Sequence, residues 1–231
     1  MGPLGTTDEA KTAIQSERPQ FSQPRLDVDH VAQASHRVGR FDGLYHPSVP
    51  DRLHFTDSDE ANELIATDPM ALLIGFALDQ QVQVQKAFYG PLALRERLGS
   101  IDADTLASAD LEPVFRERPA IHRFPGAMAK RVHDLAVYIR DEYDGDAARV
   151  WTTAADSDQL RANLAALPGF GEMKIKALGS VLAKQFGVQA AADLVPWHPT
   201  LGDVDSPRAL ADYQAEKRVH KAEWTKAKSG A

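Results

Sequence analysis

The stretch Leu167-Pro168-Gly169-Phe170-Gly171 decides how this chain is read. Ahead of it Leu160, Leu164 and Leu167 recur at helical spacing, and behind it Ile175, Leu178, Leu182 and Phe186 do the same. The pattern predicts a helix, a tight turn and a second helix. Glycine reaches positive φ without steric cost and lets another group approach the backbone closely. The amides of Gly169, Gly171 and the first turn of the second helix are left pointing outward, because the first amides of a helix have no intrahelical acceptor. Such a cluster of donors suits an anion. The five residues alone also fit an ordinary helical turn with a glycine-rich connection.

On either side of this stretch, helical patterns fill most of the chain. Thr56-Asp57-Ser58-Asp59 resembles a capping box ahead of Ala61, Leu64 and Ile65. Asp68-Pro69 supplies an N-cap and a first-turn proline for a helix with Met70, Leu73, Ile74, Ala77 and Leu78 on one face. That helix is expected to run to about Phe88, with Gly90-Pro91 as its stop. Short helices are expected over 91–98, 104–109 and 111–116. A longer one covers 127–143, with Met128, Val132, Leu135, Ala136 and Ile139 inward, and the hairpin pair covers 157–166 and 172–186. Residues 187–205 show no period. No strand pattern emerges, so the fold class is all-α. Three parts are expected: an irregular N-terminal extension over 1–50, a helical core over 51–205, and a charged helix over 206–231, opened by Ser206-Pro207, that packs on the core.

Composition sets limits on function. With 231 residues and 43% hydrophobic content, the chain can bury one core, whole or shared between two lobes. The absence of cysteine excludes disulfides, thiolate catalysis, zinc-thiolate sites and cysteine-held iron–sulfur clusters. The eight histidines show no metal-ligand spacing, so no metal and no cofactor is expected. No apolar run is long enough to cross a membrane and the N-terminus lacks the order of a signal peptide, which points to a cytoplasmic protein with no membrane partner. A net charge of −7 opposes an extended electrostatic DNA binder. The charges are nonetheless segregated. Lys174, Lys176 and Lys184 follow the hairpin, Lys130 and Arg131 open an earlier helix, and Lys217, Arg218, Lys221, Lys226 and Lys228 fill the C-terminal segment. Asp57, Asp59, Glu60, Asp102 and Asp104 gather elsewhere, so one face can still meet DNA.

The hairpin, followed about twenty residues later by Asp193, resembles the helix-hairpin-helix of base-excision DNA glycosylases, where L-P-G-(apolar)-G precedes a helix and then a catalytic Asp. Two further stretches are similar to the same helix-hairpin-helix-GPD superfamily. Pro69-Met70-Ala71-Leu72-Leu73-Ile74-Gly75-Phe76-Ala77-Leu78-Asp79-Gln80-Gln81 looks like its early helix ending in L-S-Q-Q, with Asp79 in place of Ser. Phe124 to Ala136 looks like its G-(x)-x-x-x-K-A-x-x-(I/L)-x-x-L-A segment. The likeness covers roughly residues 53–205 and is nearest to small stand-alone members without the cysteine cluster.

The resemblance implies two helical lobes with a cleft between them, and an enzyme that acts, as a monomer, on duplex DNA containing a damaged base. A base inside the stack is out of reach, so such an enzyme holds the backbone and flips the nucleotide into a pocket. It implies that Gly169, Phe170, Gly171 and Lys174 meet the backbone, with Lys174 alternatively a solvated lysine. A carboxylate beside C1′ stabilises the developing oxocarbenium ion and orients water. Asp193 stands where the superfamily carries that group, and Asp203, close to a helix start, is its rival. Either could equally be a helix cap or a loop acid. Bifunctional members place a nucleophilic Lys two residues after the second hairpin Gly; here that position is Met173, so a monofunctional enzyme is expected. Gln80 and Gln81 fall where the superfamily reaches into the DNA gap, although Gln81 also fits a buried, hydrogen-bonded amide. Trp197 and His198 are candidates to stack on a flipped base, with Trp197 alternatively plugging the core edge. A noncatalytic DNA-binding protein that kept the hairpin is the second reading, and an all-helical protein with an unrelated partner the third.

Overall fold

The computed structural model describes residues 49–217, and among them every regular element is helical. The chain divides into two units, Met1–Leu44 and Tyr45–Ala231, and the described residues belong to the second. The expected extension over 1–50 lies almost wholly outside the described residues, as does the end of the final helix.

Helix α1 (Asp59–Thr67) starts at Ser58, whose Oγ accepts from the Ala61 amide at 3.2 Å. Helix α2 (Pro69–Leu78) starts at Asp68, which accepts from the Met70 and Ala71 amides. Every residue of α2 from Met70 to Leu78 is buried, so this helix is the centre of the first packed group rather than an amphipathic wall. Helix α3 (Val84–Leu98) packs against it, and α4 (Ala103–Ser108), α5 (Leu111–Arg116) and α6 (Pro125–Tyr143) complete the group. A second group is formed by α7 (Arg149–Thr152), α8 (Ser157–Ala166), α9 (Glu172–Lys184) and two 3-10 turns, Gln189–Leu194 and Leu201–Asp203. Residues 207–217 are again helical.

The single helix expected from Pro69 to Phe88 is two helices. In one continuous helix Phe76 and Phe88 would stand about 18 Å apart at 1.5 Å per residue. Instead the chain breaks at Asp79–Gln83 and folds back, and the two rings meet edge to face at 5.1 Å, with Phe55 against Phe88 at 5.0 Å. Gly75 makes room for this: a Cβ there would come within 2.4 Å of the Phe88 ring. Pro91 does not stop α3 but lies inside it, buried, beside Gly90, which Leu78 overlies. Burial of Leu92, Ala93 and Leu94 in the next turn holds the helix through the missing amide.

The 3-10 turns lock onto α9 at two small residues. Leu194 sits on Gly179, and Gly202 sits so close to the Ser180 carbonyl that a Cβ would lie 2.4 Å from its oxygen. Backbone cannot yield as a side chain can. Gly202→Ala is therefore expected to destabilise the fold by about 1–3 kcal/mol, seen as a lower denaturant midpoint. An unchanged midpoint would contradict this packing.

Candidate functional site

Leu167-Pro168-Gly169-Phe170 forms a type II turn. The Phe170 amide donates to the Leu167 carbonyl at 3.1 Å, Pro168 takes the second position, and Gly169 takes the third with φ +81°. Leu167 and Phe170 are buried, so these two side chains anchor the turn, while the backbone, the half-buried Pro168 and the glycines face outward. Phe170 thus offers no side chain to a ligand. Gly171 is the N-cap of α9 and lacks a side-chain cap. The Lys174 and Ile175 amides both reach the Gly171 carbonyl, at 2.9 and 3.1 Å. Among the described residues the amides of Gly171, Glu172 and Met173 have no acceptor. Glu172 stands beside them, but the Arg161 guanidinium grips both its oxygens at 2.8 and 2.9 Å and Lys176 lies at 3.3 Å. Those cations hold the Glu172 carboxyl below its usual range.

Lys174 turns inward rather than toward solvent. Its Nζ donates to the Ala77 carbonyl, in the last turn of α2, at 3.0 Å and lies 5.6 Å from the centre of the Phe170 ring. A cation at the carbonyl end of a helix is favourable, but burial and the nearby Arg131 guanidinium together lower the Lys174 pKa to about 8, with Asp79 offsetting them in part. Burial raises the Asp79 carboxyl, and Lys217 and Lys174 counter it. In the unfolded chain a lysine titrates near 10.4. Between about pH 8 and about 10.4 the unfolded state binds the extra proton, so stability contributed at this site rises with pH across that window and is flat below it. Wild type compared with Lys174→Met in denaturation across that range should show the rise; parallel curves would contradict the inward placement.

Arg131, on α6, completes the cluster. Its Nη1 donates to Gln80 Oε1, and its side chain packs on Gly169 so tightly that a Cβ there would lie 2.8 Å from Nε. A shallow groove of about 260 Å³ opens beside it, lined by Ala127, Lys130, Arg131, Asp134, Pro168 and Gly169. Gln81 follows Gln80 in the connection between α2 and α3, exposed and with φ +57°, a region a non-glycine residue seldom enters. It is neither helical nor a buried amide. Beneath the same connection His122 is buried, its Nδ1 accepting from the Phe124 amide at 3.1 Å and its Nε2 unpaired among the described residues. Burial pushes its pKa down, against the Gln80 and Leu78 backbone nearby.

The structure thus gathers Gly169, Gly171, Lys174, Gln80 and Gln81, with Asp79 and Arg131, which sequence reasoning had not placed in the site. It does not bring Asp193 or Asp203 to the hairpin. Asp193 Oδ2 accepts from the hydroxyl of Ser157, the first residue of α8, at 2.9 Å. Burial would raise the Asp203 carboxyl, but Lys184 at 2.6 Å and the Thr200 amide at 2.9 Å outweigh it and hold it low. Ser157 and Lys184 are the residues of α8 and α9 farthest from the turn, roughly 15–20 Å along those helices. Trp197 does not plug the core: it is 96% exposed and meets His198 edge to face at 5.6 Å.

Among the described residues no three acidic or histidine side chains converge as metal ligands, and no single helix is long and apolar enough to cross a membrane. Compared with protein-family models, curated proteins and solved structures, the chain finds no match in any of the three.

Proposed function

We propose that this chain is a base-excision DNA N-glycosylase of the helix-hairpin-helix type, monofunctional, acting on a damaged or mismatched base flipped from duplex DNA. The observation that carries the reading is the type II turn whose outward amides at Gly171, Glu172 and Met173 stand beside Arg131, Lys130 and the α2–α3 connection. Amides and cations converging on one spot fit a backbone phosphate, and a sequence-neutral grip suits an enzyme that scans any sequence. The connection carrying Asp79, Gln80 and Gln81 lies against the same hairpin, where a displaced base would leave its gap. The exposed Met173 occupies the position of the lysine in bifunctional enzymes, so water rather than an amine attacks C1′. Asp193 is the carboxylate we assign to that water, since it is exposed and, among the described residues, holds one hydrogen bond, to a hydroxyl.

One observation favours a second reading, a noncatalytic DNA-binding protein: Asp193 and Asp203 bond to Ser157 and Lys184, which stand at the ends of α8 and α9 remote from the turn. Abasic-site formation on duplexes bearing alkylated, deaminated or oxidised bases separates the two. Release of at least one base supports the enzyme; tight duplex binding with no release across the panel supports the second reading.

A further inference from the structure

Arg131 is held in the folded chain by a neutral acceptor. It is half-buried, it touches α6, the hairpin and the α2–α3 connection, and among the described residues no carboxylate pairs with it. Lys130 beside it is neutralised by Asp134 at 2.7 Å. A guanidinium carries five donors in a fixed fork, and Gln80 occupies one. The groove beside it is lined by Ala127, the paired Lys130 and Asp134, Pro168 and Gly169, next to the outward amides of the hairpin. A guanidinium meets a phosphate with both partners charged and frequently through two parallel bonds, whereas the Gln80 carbonyl is a single neutral acceptor. A phosphate entering the groove therefore outcompetes the Gln80 carbonyl.

We propose that Arg131 is a positioning residue exchanged between two acceptors, Gln80 in the free protein and a DNA backbone phosphate at the hairpin in the complex, so that seating the phosphate frees the Gln80-Gln81 connection to move into the duplex. The proposal rests on the DNA-binding reading above. It explains why the chain breaks at Gln80-Gln81 instead of continuing α2: the Arg131 bond tethers the half-buried Gln80, and the exposed Gln81 keeps a left-handed φ of +57° that release can relax. It also explains the fit of Arg131 on Gly169, since any side chain on that glycine would displace the guanidinium from both acceptors.

The experiment is a set of duplex titrations of the full chain at several salt concentrations. Gln80→Met removes the tethering acceptor, and Arg131→Met removes the fork while keeping an apolar stem on Gly169. Gln80→Met is expected to bind undamaged duplex, where no displaced base leaves a gap for the connection, about fivefold tighter with an unchanged salt slope, because the phosphate contacts are the same and the competing bond is gone. Arg131→Met is expected to bind at least about tenfold weaker, with the slope of log affinity against log salt shallower by about 0.9. In the Arg131→Met background Gln80→Met should have no effect, and Arg131→Lys should restore the slope. A weaker or unchanged affinity for Gln80→Met overturns the exchange, as does a salt slope that Arg131→Met leaves untouched. If instead the wild-type chain fails to bind duplex at all, the DNA-binding reading falls and takes this proposal with it.

Discussion

Gly171→Asp should abolish the grip on DNA while leaving the fold as stable as before or slightly more so. The position tolerates a side chain: φ is −99°, and a Cβ would meet nothing within 4 Å. Aspartate is among the best N-caps, and replacing a glycine cap by it gains a few tenths of a kcal/mol. Its carboxylate would then accept the free amides of α9's first turn and put a negative charge where a phosphate must sit. Loss of several charge-assisted bonds plus like-charge repulsion corresponds to about a hundredfold in duplex affinity. Titration of variant and wild type, with denaturation midpoints measured alongside, checks both halves. A variant that binds as wild type while folding normally would remove the hairpin from the interface.

The second large effect concerns catalysis. Asp193→Asn is expected to lower base release by about 10²–10³-fold, the order of loss when a charge that stabilises a transition state is removed. The amide keeps the shape, and its oxygen can still accept from Ser157, so folding and duplex affinity should change little. Asp203→Asn is the matched comparison, because there the ion pair to Lys184 and the cap at Thr200 weaken and some stability is lost. Loss of release in a folded Asp203→Asn chain with Asp193→Asn active would move the role to Asp203. Borohydride trapping should yield no protein–DNA adduct with the wild type; an adduct that vanishes in Lys174→Ala would show that a lysine, and not water, attacks the sugar.

How much of this was legible in the sequence depends on the range of the interaction. The turn was legible because proline fixes φ at the second position and glycine admits the positive φ that the third requires, as Pro168 and Gly169 do. Helices with one apolar face were legible too: Met128, Val132, Leu135, Ala136 and Ile139 of α6 are all buried as their spacing predicts. The break after Leu78 was not, because α2 is apolar on every side and carries no phase that could end. The four residues of α7 and the 3-10 turns are too short, or of the wrong period, to register. The site was half legible. Its glycines and Lys174 stand in one local motif, but the bond from Lys174 to Ala77 spans 97 residues and that from Arg131 to Gln80 spans 51. The inward turn of Lys174 is a product of that long-range packing, so a lysine read from sequence as a phosphate contact or a solvated surface cation becomes a partly buried one with a lowered pKa.

On the proposed function, the hairpin grips DNA backbone without regard to sequence. Its most direct test is the affinity of the wild-type chain for several undamaged duplexes of unrelated sequence, measured across a range of salt concentrations. Equal affinities are expected for all of them, with log affinity falling linearly as log salt rises, because phosphates rather than base edges are bound and counterions are released. Failure to bind any duplex, or binding confined to one sequence and indifferent to salt, would contradict it.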